Sequence, residues 1–93
     1  MLIGSLQVEL HLPACHSLKE KRFTLQGLKT RLRNRFNVSV AEVDYQDKWQ
    51  RSVLGVACIS NERKHIDEML QKVLRDIENE PEAEVIGQLI EVF

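Results

Sequence analysis

The chain has 93 residues, 43% of them hydrophobic and 29% charged, with a formal net charge of −1. That length holds one domain with a modest core, spanning residues 1–93, and the composition excludes disordered, collagen-like and linker-type chains. The longest apolar run, Val53 to Ile59 counting Gly55, has seven residues, and a membrane-spanning helix needs about 20. Met1-Leu2-Ile3-Gly4 lacks the basic region of a signal peptide and reads directly as a strand. A secreted scaffold of this size would usually carry four or more cysteines; this chain has two. The reading is a small cytoplasmic domain. Cys58, inside the apolar run, reads as a buried hydrophobe, and Cys15, in a loop, as a partly exposed thiol.

Residues 2–12 alternate: Leu2, Gly4, Leu6, Val8, Leu10 and Leu12 on one face, Ile3, Ser5, Gln7, Glu9 and His11 on the other. Period 2 predicts a strand with one buried face, ended by Pro13. Ser17-Leu18-Lys19-Glu20 is a capping box, in which Ser17 caps the amide of Glu20 and Glu20 reaches back to the amide of Ser17. The helix that follows covers residues 18–36, its apolar face made of Leu18, Leu25, Leu28, Leu32 and Phe36. Gly27 lies nearly opposite that face and has no packing rationale there. Residues 38–45 are rich in β-branched side chains and predict a strand. Residues 46–50 are a polar loop, and residues 52–60 a further strand whose unbroken apolar run implies burial on both faces. Ser60 or Asn61 caps a second helix with the face Ile66, Met69, Leu70, Val73 and Ile77, closed by Pro81. Residues 84–92 form the last strand.

The order β-α-β-β-α-β predicts an α+β, ferredoxin-like domain. Right-handed crossovers interleave the two halves into a four-stranded antiparallel sheet of order 4-1-3-2 with both helices on one face. Gln7, Glu9 and His11 then make the helix-free face polar, which argues against a dry dimer interface there. The start of the first helix and the 46–51 hairpin loop fall at the same pole, so His16, Lys19 and Arg22 become neighbours of Lys48, Trp49 and Arg51.

Three stretches carry a resemblance: His16-Ser17-Leu18-Lys19-Glu20-Lys21-Arg22, Arg35-Phe36-Asn37-Val38-Ser39-Val40-Ala41-Glu42, and Gln46-Asp47 with Trp49-Gln50-Arg51. Together they resemble the YlxP-like family of small bacterial proteins over nearly the whole chain. The resemblance implies a ferredoxin-like fold and, through genes that neighbour those of translation initiation and ribosome maturation, a setting around ribosomal RNA. It supplies no catalytic residue, and both fold and neighbourhood are associations only.

Charge is divided along the chain. Ser17 to Phe36 holds seven basic residues against Glu20 alone, a net +6, leaving −7 for the rest. On the helical wheel Lys19, Arg22, Gln26, Lys29 and Arg33 fall within about 80°, a stripe over about four turns. Cations so spaced suit a phosphate backbone. Trp49, between Lys48 and Arg51, offers a platform for a splayed base. The expected partner is structured RNA or a ribosomal particle. The alternatives are a solvated helix face and a tryptophan that covers the end of the core. Strands 1 and 3 carry no aromatic residue, so a sheet-platform reader is not expected.

Two other classes stay open. The fold hosts acylphosphatases, but the loop Pro13-Ala14-Cys15-His16 has no glycine to cradle phosphate; the helix N-terminus beside Arg22 would have to serve instead. Adjacent Cys15 and His16 are a poor nucleophile–base pair, so no catalytic residue is assigned, and Glu9 with His11 reads as a solvated face. His11, Cys15 and His16 lack zinc-site spacing, and neither metal nor cofactor is expected. The third class is a protein-interaction module or homodimer, in which Glu78, Glu80, Glu82 and Glu84 meet the basic helix of another copy.

Overall fold

The computed structural model describes residues 1–93. The elements are β1 (Leu2–His11), α1 (Leu18–Arg35), β2 (Ser39–Asp44), β3 (Arg51–Ser60), α2 (Arg63–Glu78) and β4 (Glu84–Val92). The sheet order is β2-β3-β1-β4 with every neighbouring pair antiparallel. This is the ferredoxin-like architecture that the element order implies. No helix is long and apolar enough to cross a membrane.

The alternation in β1 directs the packing. Leu6, Val8 and Leu10 are fully buried against the helices, together with Leu54 and Val56 of β3. α1 contributes Leu25, Leu28 and Leu32, and α2 contributes Ile66, Leu70, Val73 and Ile77. α1 lies over β2, and α2 lies over β1, β3 and β4. Gly4 is required by this packing: a Cβ there would sit 2.3 Å from Cγ2 of Ile66. A side chain at that point would push α2 off the sheet.

β3 departs from its expected burial. Ser52, Leu54, Val56 and Cys58 are buried, but the alternate residues face away from the helices, and Ile59 among them is exposed. The run is continuous in hydrophobicity because one face packs in the core and the other forms an open apolar surface. Ile3, Ile59, Leu89 and Phe93 are all exposed, and the pairing of Ile3 with Ile59 and of Gln7 with Leu89 puts the first three on the helix-free face. That face therefore carries exposed apolar side chains around Ser5, Gln7 and Glu91 at the end where β1 begins, beyond the polar Gln7, Glu9 and His11 read from the sequence.

Three local expectations also change. The N-cap of α2 is Glu62 rather than Ser60 or Asn61, and Ser60 instead accepts from the Glu62 amide through its hydroxyl. Cys15 is buried, not a partly exposed loop thiol: the turn bonding its amide to the Leu12 carbonyl at 3.2 Å folds the side chain into the core. Glu80, Glu82 and Glu84 of the acidic run are engaged within the molecule, by Arg31, Thr24 and His11.

Candidate nucleic-acid interface

The site is built on the start of α1. Ser17, in extended conformation, accepts the Glu20 amide at 3.1 Å through Oγ. The Glu20 carboxylate accepts from the His16 amide at 2.5 Å, one residue before the expected Ser17 amide. These two hydrogen bonds cap the N-terminus of the helix.

The seven cations of the basic segment separate into two groups. Lys21 is fully buried; its Nζ lies 3.0 Å from Oε2 of Glu42 and donates to the carbonyls of Tyr45 at 2.7 Å and Arg51 at 3.2 Å. Arg31 bonds Asp76 and Glu80, and Arg35 bonds Asp76, tying α1 to α2. Burial alone would raise the Asp76 carboxyl, but the hydrogen bonds from Arg35 and Arg31 prevail and hold it below its ordinary value. Arg33 donates to the Val40 carbonyl at 2.6 Å. Lys19, Arg22 and Lys29 make no ion pair and no side-chain hydrogen bond.

Lys19, Arg22 and Gln26 line one groove of about 770 Å³ with Phe23, beside the Ala14–Cys15 loop and Glu82. Phe23 is 83% exposed. Lys29 follows along the same side of α1, one helical turn beyond Gln26. The 46–51 loop docks where the topology implies: Nε2 of Gln50 donates to the carbonyls of Pro13 at 3.2 Å and Cys15 at 3.1 Å, and the Leu12 amide donates to Gln50 O at 2.9 Å. Trp49, 55% exposed, shares a shallow depression with Asp47 and Lys48. Lys48, like Lys19, has no partner within the chain. Gln50 and Arg51 line the same depression, but Arg51, unlike Lys48, is already paired. Its guanidinium pairs with Glu9 on the helix-free face and lies 5.0 Å from the centre of the Tyr45 ring.

The structure thus gathers Lys19, Arg22 and Gln26 into one groove, carries Lys29 on beside it, brings Lys48, Trp49 and Arg51 together at the same pole, and engages Arg33 with the Val40 carbonyl and Arg51 with Glu9. Two residues were missed from the sequence. Lys21 falls at the centre of the apolar arc of α1 on the helical wheel, the one charged side chain there, and that position was the signal of its burial. Phe23 lies well outside the same arc, so its exposure was equally readable.

Residues 3–89 match the family model described as a protein of unknown function, DUF503. The chain belongs to that family. It is also similar to the uncharacterized protein YlxP of Bacillus subtilis (strain 168), 43% identical over 83 residues, which cover 89% of this chain and 90% of that protein.

Proposed function

We propose that the protein is a non-catalytic binding protein for structured RNA, free or within a ribosomal particle, acting through the outer side of α1 and the adjoining hairpin loop. The observation that carries this reading is the groove in which Lys19 and Arg22, cations with no partner of their own, flank the exposed ring of Phe23. A cation that the fold does not neutralise is free to displace counterions from phosphates. An exposed aromatic ring beside it supplies a stacking surface for an unpaired base. Trp49 and Lys48 repeat the combination at the same pole. The contact set is Lys19, Arg22, Phe23, Gln26 and Lys29 from α1, with Lys48 and Trp49 from the loop. Two buried unpaired thiols fit a reducing compartment, and we place the protein in the bacterial cytoplasm.

The test is a titration with ribosomal RNA fragments followed by the fluorescence of Trp49, the single tryptophan. With four free cations as phosphate contacts, affinity should fall roughly 50- to 150-fold between about 50 and 200 mM salt. Lys19→Glu with Arg22→Glu should abolish the quench while leaving the circular dichroism spectrum unchanged. No saturable binding at low salt, or equal binding by the double variant, overturns the reading.

A further inference from the structure

β4 is an outermost strand; its one bulge lies between Val85 and Gly87, and from Gly87 to Val92 its free edge is regular. It runs for nine residues without Lys, Arg or Pro, the usual devices that keep an edge from pairing. The other edge strand, β2, is six residues long and carries a register shift next to Glu42. The phase of the ladder on β4 follows from its end: Ile3 and Phe93 exchange both backbone hydrogen bonds, at 2.9 and 2.8 Å. In an antiparallel pair such positions alternate. Glu91, Leu89 and Gly87 therefore turn their N–H and C=O groups toward β1, and Val92, Ile90 and Gln88 turn theirs outward. None of the three outward-facing residues bonds any other part of the chain.

Gly87 is a vacant position on this strand. Its φ is not in the left-handed region, and a Cβ there would meet nothing closer than Glu9 at 3.6 Å, an ordinary contact. Gly87 borders the register shift at which Glu9 pairs with Gly87 and Leu10 with Val85, and a strand glycine commonly accompanies such a bulge. The missing side chain also leaves room on the helix-free face for one from outside.

We propose that β4 pairs antiparallel with β4 of a second copy about a two-fold axis at Ile90, joining the two sheets into one of eight strands. This register uses all three outward-facing residues: Ile90 opposite its symmetry mate, and Gln88 opposite Val92, twice. It stops short of the register shift opposite Glu9 and Leu10. It sets Phe93, which is 67% exposed, opposite Gly87, the one residue of β4 without a side chain. Leu89 falls opposite Glu91, so no two like charges face each other. The contact is isologous and closes at two copies. It lies at the edge farthest from β2 and α1, so it is independent of the RNA reading.

Sedimentation equilibrium and light scattering from micromolar to millimolar protein test it. The expected species has about twice the 10.8 kDa mass of the chain. Gln88→Pro removes an outward N–H without touching the ladder to β1, and should leave a folded monomer. Gly87→Val separates interface from fold. As a plain strand residue, valine should raise the melting temperature and leave the mass unchanged; at an interface under Phe93 of the other copy it should raise the dimer Kd about tenfold or more. A wild-type chain that is monomeric throughout, or a dimer whose Kd neither variant changes, overturns the proposal.

Discussion

Nζ of Lys21 lies 3.0 Å from Oε2 of Glu42, and the lysine side chain is fully buried. The pair bridges the first turn of α1 to β2. Ser52 donates to the same carboxylate oxygen at 2.7 Å, and the lysine also holds the carbonyl of Tyr45, a residue in the left-handed region at φ 60°. A non-glycine residue there persists only when its surroundings fix it. Lys21 is thus the fastening of the hairpin loop that carries Lys48 and Trp49. Lys21→Met should leave Glu42 and the Tyr45 carbonyl without their partner and cost about 3 kcal/mol or more. Urea denaturation measures this, and a loss under about 1 kcal/mol would contradict the role assigned to the pair.

Asp76 predicts an acid-sensitive joint between the helices. Its folded carboxyl is held below the ordinary 3.8 by Arg35 and Arg31 against the opposing effect of burial. The unfolded chain then binds the proton first, so this contribution is fully present above pH 3.8 and is lost as pH falls through the lower folded value. Asp76→Asn should be less stable than wild type at neutral pH, with the gap narrowing below that point. Melting curves from neutral to acidic pH check it, and a gap that stays constant would sink it.

Gly27 stands free on α1, with nothing within 4 Å of the position a Cβ would take. Gly27→Ala should therefore stabilise the protein by about 0.5–1 kcal/mol, through helix propensity alone. A rise in melting temperature with unchanged far-ultraviolet circular dichroism is the expected outcome; a fall would mean that the position has a role outside the helix.

Phe23 and Trp49 separate stacking from packing. Both rings are mostly exposed, so replacing either with Ala should change stability by no more than about 0.5 kcal/mol. On the proposed RNA face, each replacement should still weaken binding, by about 1–3 kcal/mol per stacked base. Large destabilisation on removing Trp49 would assign it to covering the end of the core.

The thiols should be silent in the native state. Cys15 and Cys58 are buried and unpaired, and burial pushes the Cys58 thiol up, against a hydrogen bond with the backbone of Gly4. A water-soluble disulfide reagent at neutral pH should label neither until urea is added, when both react. Rapid native labelling would show that the Pro13–His16 turn opens readily.

The element order was legible because it rests on local periodicity. The period-2 pattern of β1, the 3.6-residue pattern of α2 and the breaks at Pro13 and Pro81 each depend on neighbours within a few residues, and the strand order follows from their sequence and from handed crossovers. The meeting of the α1 start with the 46–51 loop followed from the same topology. What the chain alone left open were pairings between distant residues. Lys21, Arg31, Arg33 and Arg35 counted as free charge until the fold set Glu42, Asp76 and the Val40 carbonyl beside them. The run Val53–Ile59 read as doubly buried, although the topology already set both helices on one face, because hydrophobicity alone does not separate an apolar side chain packed in the core from one on the open face. Charge composition is a property of the chain; whether a charge is free for a partner depends on which distant group the fold brings within hydrogen-bonding reach, and that is settled only when the helices dock.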